Sequence, residues 1–289
     1  MKIEEKRVID PRDFIAVDIG NSRIKLLYSD EMTSIDIKEG WQVLFNNYLK
    51  GVFQLAKGSL TKDSLTQESL SIYSLNVCVS SVNDRVEKEL RGILDWVNDP
   101  SFHFQVVNTN DVLDTQKIVD FSLVSGMGSD RKLGLIGALD YIKAPLITVD
   151  IGTAVTINTL DKYCICRGGV IFPGPYTQVK SLAERTSGLA GITGLGEVDM
   201  CVAAEINGLD TLTAMSNGII YGVCGSIKEI IRLIKFQNPE MVKAKIIMTG
   251  GGAELIKWVL KTWVNDPLDF NFRYEEDLVL RGILKIIRN

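Results

Sequence analysis

The chain has one histidine, His103, and no Cys-x-x-Cys pair among its five cysteines, Cys78, Cys164, Cys166, Cys201 and Cys224. The ligand spacings of a structural zinc site are therefore missing. An odd, scattered set of thiols suits buried free cysteines in a reducing compartment rather than a disulfide framework. There is no Gly-x4-Gly-Lys-Ser/Thr phosphate loop. Gly126-Met127-Gly128-Ser129-Asp130-Arg131 starts like a dinucleotide fingerprint but has Arg131 where a third glycine must pack against a strand. No Ser/His/Asp hydrolase set is visible, because His103 lies in an apolar strand context that suits a structural role. No apolar run approaches the ~20 residues needed to span a bilayer. The first residues, Met1–Arg7, are charged and lack an apolar signal core. A formal net charge of −4 and a pI near 5.3 argue against nucleic acid or a membrane surface as partner. The expectation is a cytoplasmic protein whose anionic ligands are held by a few local cations, a metal ion or backbone N–H groups.

What is present is a repeat. Phe14-Ile15-Ala16-Val17-Asp18-Ile19-Gly20-Asn21-Ser22 and Leu146-Ile147-Thr148-Val149-Asp150-Ile151-Gly152-Thr153-Ala154 are near-copies, each followed by a second apolar run, Ile24–Tyr28 and Val155–Asn158. Both read as strand, tight turn, strand. With 289 residues, 46% hydrophobic and 24% charged, the chain is long enough for two globular domains. The repeat predicts two similar halves, 1–120 and 121–289, each offering a carboxylate and a glycine turn to a shared cleft.

Further elements follow from spacing. A helix is expected over Trp41, Leu44, Phe45, Tyr48 and Leu49, and a loop or short helix over Ser59–Ser71. Leu75–Ser80 reads as a strand. Asn83 caps a helix carrying Val86, Leu90, Ile93, Leu94 and Val97, stopped by Asp99-Pro100, and a strand follows at Phe102–Val107. In the second half a helix starts at Ser129, strands follow at Leu146–Val149, Ala154–Thr159 and Tyr163–Ile171, and helices at Tyr176–Ser187 and Thr211–Lys235. A strand at Lys245–Met248, a glycine turn and helices from Glu254 and Glu276 complete the chain.

Asp18 and Asp150 each end a buried-looking strand. A single Asp-x-Gly is commonly a turn, but two copies at equivalent junctions point to carboxylates that hold Mg²⁺ beside ATP phosphates. Gly20, Asn21, Ser22 and Gly152, Thr153, Ala154 then offer backbone N–H groups to the phosphates, and Lys25 a point charge. Gly128-Ser129-Asp130-Arg131 leads from a glycine loop into a helix. Ser129 suits an N-cap and Asp130 the positive end of the dipole. Arg131 is unfavourable there by ~0.3–1 kcal/mol, which an anion bound to it would offset. Gly168-Gly169-Val170-Ile171-Phe172-Pro173-Gly174 and Thr249-Gly250-Gly251 complete the set of glycine turns.

Together these motifs resemble the type III pantothenate kinases, of the actin/hexokinase/Hsp70-like superfamily. The family pattern DxGN(T/S)xxK is met by Asp18, Gly20, Asn21, Ser22 and Lys25, GxDR by Gly128, Asp130 and Arg131, DxGTAxT by Asp150, Gly152, Thr153, Ala154 and Thr156, and GGxIxPG by Gly168, Gly169, Ile171, Pro173 and Gly174. The resemblance implies an α/β fold of two duplicated RNase H-like (actin-like ATPase) domains, each a mixed sheet with flanking helices. It implies ATP-dependent phosphorylation of pantothenate, the first step of coenzyme A biosynthesis, by a homodimer using Mg²⁺ and a monovalent cation, K⁺ or NH₄⁺. Carried over by residue, Asp18 and Asp150 hold the metal and Asp130 is the base for the pantothenate hydroxyl. Arg131 grips its carboxylate, with Phe121, Gly128 and Ser129 around it, and Thr186 reaches the neighbouring subunit's substrate. Gly250 and Gly251 lie on the nucleotide. The family's Tyr-x-x-Pro lead is Phe121 and Val124 here, a family glycine is Cys164, and a common Asp is Asn158. The alternatives are a kinase for another small hydroxy compound of the same superfamily, or a non-catalytic accessory regulator of the same fold.

Overall fold

A computed structural model describes residues 14–60, 73–97, 102–186, 188, 205–262 and 271–288. These divide into two compact units. One takes the chain up to Ile118, together with Met127–Gly137 and the stretch from Val279; the other takes Val119–Gly126 and Ala138–Leu278.

The first unit holds strands β1 (Phe14–Ile19), β2 (Arg23–Tyr28), β3 (Glu31–Asp36), β4 (Tyr73–Ser81) and β5 (Phe102–Asn108) in one sheet of order β3-β2-β1-β4-β5. β1 pairs antiparallel with β2 and parallel with β4. Ile15, Val17 and Ile19 of β1 join a core with Trp41, Phe45, Leu49 and Val52 of α1 (Trp41–Leu60) and Val86, Leu90 and Leu94 of α2 (Asp84–Val97). Ala16, Leu27 and Cys78, of the opposite parity, are also buried, so both faces of the sheet are covered. Asn83 caps α2 as its position suggests: Val86 N–H donates to its Oδ1 at 3.3 Å. A short helix that spacing did not reveal, α3 (Thr109–Thr115), follows β5. The loop or helix expected at Ser59–Ser71 falls mostly outside the described residues, although α1 itself runs to Leu60. His103 lies in β5, with its side chain outside the described ones.

Two further helices, α4 (Ser129–Ala138) and, late in the chain, α8 (Leu278–Arg288), belong largely to this first unit. The winding therefore differs from a single cut near Phe121. The reason is local: a Cβ on Gly282 would run into the backbone of Leu133, its carbonyl carbon at 2.7 Å and Cα at 2.9 Å. α8 thus seats directly on α4, and only glycine permits that approach.

The second unit repeats the plan with β6 (Leu146–Ile151), β7 (Ala154–Leu160), β8 (Cys166–Pro173), β9 (Lys245–Thr249) and β10 (Phe272–Tyr274), in the order β10-β9-β6-β7-β8. As in the first sheet, the opening strand pairs antiparallel with the next and parallel with the fourth. Strand order and direction match throughout, so the fold is α/β with two mixed five-stranded sheets. Ile147, Val149 and Ile151 pack on α6 (Thr211–Gln237), whose Met215, Ile219, Val223, Ile227 and Ile231 form a buried stripe at helical spacing. α5 (Pro175–Arg185) and α7 (Ala253–Thr262) flank it. Among the described residues no helix is long and apolar enough to cross a membrane.

β8 starts later than the apolar run from Tyr163 suggests, because Asp161 organises the preceding turn. The buried Asp161 accepts N–H bonds from Tyr163 at 2.9 Å and Ile165 at 3.0 Å, and one from Arg167 Nε at 2.7 Å. In the same turn Cys164, where the resembled family has glycine, has φ +59°. That left-handed backbone is the physical reason for a glycine there. Burial alone would raise the Asp161 pKa, but the hydrogen bonds from Ile165, Arg167 and Tyr163 outweigh it and hold the carboxyl below its ordinary value. A depressed folded pKa contributes stability above the unfolded pKa of ~3.9 that is lost as pH falls through the folded value. We expect Asp161→Asn, which loses the charge-assisted Arg167 bond, to cost about 1–3 kcal/mol at pH 7. The gap from wild type in urea unfolding should shrink steadily below pH 4; a gap independent of pH would sink this account.

Candidate functional site

In the first unit β1 and β2 form a hairpin closed by Gly20 N–H donating to Arg23 C=O at 2.9 Å. Asp18 stands opposite Lys25 on β2 and beside Ser80 on β4. Residues in register on neighbouring strands point to one face, so Asp18, Lys25 and Ser80 share a face at the strand ends. Asn21 and Ser22 are exposed at the tip. Ser80 is buried, and its Oγ lies 3.3 Å from Ser129 Oγ at the first turn of α4. The helix start carrying Gly128, Ser129, Asp130 and Arg131 is thereby brought to the Asp18 end of the sheet.

The start of α4 differs in detail from the expected cap. Ser129 is the first helical residue and its side chain turns to Ser80. It is Asp130 that folds back, its Oδ1 accepting the Arg131 N–H at 2.8 Å. A Cβ on Gly128 would stand 2.5 Å from that oxygen. The Gly-x-Asp spacing is thus a steric requirement of the Asp130 conformation.

In the second unit Asp150 occupies the equivalent place, opposite Thr156 on β7 and beside Thr249 on β9. A hydroxyl therefore stands next to each carboxylate, Ser80 in one unit and Thr249 in the other, both buried. Asn158, the position where an Asp is common, is buried on the same face, with Nδ2 3.4 Å from Thr148 Oγ1. The Gly152–Thr153 turn is closed by Gly152 N–H donating to Ala154 C=O at 3.0 Å.

This turn is held from two sides. Gly174 N–H and Thr177 Oγ1 both donate to Thr153 C=O, at 2.9 and 2.5 Å, and a Cβ on Gly174 would fall on the Gly152 carbonyl. On the other side Gly250 has φ +95°, and its missing Cβ would meet the Asp150 carboxylate and sit 2.6 Å from Ile151 N. Gly252 N–H donates to Ile151 C=O at 2.8 Å. Segments separated by up to a hundred residues in sequence converge on Asp150 through backbone contacts. Thr177 and Ser80 carried no sequence signal, since a hydroxyl gains meaning only from its partner.

Phe121 and Thr186 lie elsewhere in the second unit. Asp120 bridges to Ile165 at the start of β8, and Val124 Cγ1 stands 3.8 Å from where a Gly168 Cβ would be. Phe121 and Val124 are thus placed along β8. Thr186 ends α5, about 15 Å from the Thr153 turn by helix rise, and its hydroxyl donates to Leu182 C=O at 2.8 Å. Val179 on the same helix is in the core of its own unit.

Within each unit the strand-end carboxylate and the hydroxyl beside it are hard oxygen donors, the kind of ligand Mg²⁺ takes, and among the described residues no group of three or more His, Cys, Asp or Glu that could hold a metal ion stands together. Burial pushes the Cys78 and Cys224 thiols up to about 12, so these two stay protonated and are not nucleophiles.

The family model for type III pantothenate kinase matches residues 14–233. The chain belongs to this family. A type III pantothenate kinase from Sulfurihydrogenibium sp. (strain YO3AOP1) is 25% identical over 284 residues, covering 93% of this chain and 97% of its own length. One from Akkermansia muciniphila is 32% identical over 178 residues, 62% of this chain and 67% of its own. Among solved structures, one from Campylobacter jejuni described as a Baf family transcriptional activator aligns with a TM-score of 0.54 at 19% identity, covering 94% and 96% of the two chains. One from Sinorhizobium meliloti described as a 2-dehydro-3-deoxygalactonokinase aligns at 0.51 and 12% identity, covering 95% and 96%. Both speak to the fold alone.

The contacts at Gly250 lead to a stability prediction. Gly250→Ala forces a left-handed alanine into Asp150 and the Ile151 backbone, so it should destabilise by about 2–4 kcal/mol in urea unfolding. Gly152→Ala meets nothing closer than 3.7 Å and should stay within about 1 kcal/mol of wild type. Equal losses for the two variants would contradict the packing described.

Proposed function

We propose that this chain transfers the γ-phosphoryl group of ATP to pantothenate, the first step of coenzyme A synthesis. The observation that carries this reading is the family match over residues 14–233, a span that includes Asp18 and Asp150 at equivalent strand ends and Asp130 and Arg131 at the start of α4.

In the first unit Asp18 is the carboxylate for Mg²⁺. The hairpin residues Gly20, Asn21 and Ser22 and the Lys25 ammonium bind nucleotide phosphate. In the second unit Asp150 is the corresponding carboxylate. Gly152, Thr153 and Ala154 offer backbone N–H groups, and Gly250 and Gly251 face the nucleoside. Bound Mg²⁺ supplies charge neutralisation on the phosphates. The pantothenate hydroxyl oxygen bonds to the γ-phosphorus, the bond to the bridging oxygen of ADP breaks, and the hydroxyl proton passes to Asp130. Asp130 Oδ1 already accepts the Arg131 N–H, which leaves Oδ2 the less engaged oxygen of the carboxylate. Arg131 pairs with the pantothenate carboxylate, and Phe121, Gly128 and Ser129 line that substrate. Phosphoryl transfer rests mainly on positioning and charge stabilisation, which this set of groups supplies.

The same proposal includes a cytoplasmic homodimer that uses a monovalent cation, K⁺ or NH₄⁺. In it Thr186, whose hydroxyl oxygen can still accept a hydrogen bond, meets the substrate of the second subunit.

A coupled assay with pantothenate, ATP, Mg²⁺ and K⁺ should give ADP formation that needs both pantothenate and Mg²⁺. Turnover with a sugar and none with pantothenate would instead make the chain a kinase for another hydroxy compound. No turnover with any small hydroxy compound would point to an accessory regulator.

The two residues of the helix start separate kinetically. Asp130→Asn should lower kcat by roughly 10²–10⁴ with a smaller change in KM. Arg131→Ala should mainly raise the pantothenate KM. Near-normal kcat in Asp130→Asn would reduce Asp130 to a helix-start residue.

A further inference from the structure

We infer that Ser80 is a positioning residue for the reaction: through Ser129 it holds the start of α4, and with it Asp130 and Arg131, in register with Asp18. This rests on the roles proposed above for Asp18 and Asp130.

Ser80 is a buried hydroxyl near the end of β4, directly after the apolar run Val77-Cys78-Val79. It stands beside Asp18 in the parallel β1–β4 register, on the same face, and its Oγ meets Ser129 Oγ at 3.3 Å. One short side chain therefore neighbours the strand-end carboxylate and also holds the residue preceding Asp130. The backbone around Ser80 is fixed independently. Thr109 Oγ1 donates to Val79 C=O at 2.5 Å, Val82 N–H donates to Ile19 C=O at 3.0 Å, and Asn83 N–H donates to Ser81 Oγ at 3.0 Å. Ser80 thus starts from a rigid strand end.

The helix it holds is also seated by the Gly282 approach to the Leu133 backbone. That contact sets the depth of α4 one turn in from its start. The Ser80–Ser129 contact adds a tie at the first turn itself, one residue before the place where Asp130 Oδ1 accepts the Arg131 N–H. Loss of a well-placed geometry of this kind lowers the rate of the chemical step more than it weakens binding. Thr249, the buried hydroxyl beside Asp150, has the same relation to its carboxylate, but Gly250 follows it instead of a helix start being held across the face. The inference is therefore confined to Ser80.

The test uses the full-length enzyme with ATP, pantothenate and Mg²⁺. Ser80→Ala should lower kcat about 10-fold, with both KM values within about 3-fold of wild type. Its urea midpoint should be little changed, and Ser80→Thr, which keeps the hydroxyl, should restore most of the rate. In the Asp130→Asn background Ser80→Ala should cost nothing further, because the group it positions is gone. Hydrogen exchange gives a readout independent of turnover: the Arg131 and Lys132 amides should exchange faster in Ser80→Ala while those of α2 do not. Unchanged kcat together with unchanged exchange at Arg131 would overturn the inference, as would a loss in Ser80→Ala that simply adds to Asp130→Asn. Failure of the wild type to phosphorylate pantothenate would sink the functional reading instead, and the exchange result would still decide whether Ser80 holds the helix.

Discussion

The backbone at residues 150–153 is touched by other backbone on two sides, and neither touch leaves room for a Cβ. Gly174 closes on the Gly152 carbonyl, and Gly250 closes on Ile151 and the Asp150 carboxylate. Everything proposed for the second unit depends on this contact. It fixes the direction in which β8 turns into α5, since Gly174 N–H and Thr177 share the Thr153 carbonyl. It also fixes the entry into α7, since Gly252 N–H is bonded to Ile151. Glycines remote in sequence are thus coupled by one steric condition. The Asp150 carboxylate is held by a rigid frame, which a site that must position charge requires.

The two units solve the same problem with the same sheet and different supports. In each, a carboxylate ends the first strand, with a hydroxyl beside it on the fourth, Ser80 or Thr249. The second unit backs its hairpin with glycine turns. The first backs its sheet end with the start of a helix, and α4 carries Asp130 and Arg131, the groups assigned to the second substrate. Equivalent strand ends are thus backed by different packing: glycine turns in the second unit, and a helix start in the first.

Much of the plan was legible. Asp18 and Asp150 stand where their strand–turn–strand pattern put them, because alternation and an Asp-x-Gly stop are local signals. The Asn83 cap and the helix over Thr211–Lys235 were equally readable, since both signals lie within one helix length. β10 was missed because three residues, Phe272–Tyr274, are too few to show a period. α3 was missed because, among its described side chains, only Thr109 and Leu113 are buried. The start of β8 was placed early because the apolar run from Tyr163 hides the turn that Asp161 imposes.

By itself the sequence determined the strand and helix menu, the two carboxylates, the glycine turns and the family. All of these rest on residue type and short spacing. Only the tertiary structure decided that α4 and α8 pack in the first unit and that Asp130 folds back over Gly128. The same holds for Thr186, whose hydroxyl bonds the Leu182 carbonyl, and for Ser80, which meets Ser129. Periodicity reports that a face is buried, not what buries it. A hydroxyl or a glycine acquires a role only when a distant segment arrives within a few ångströms of it.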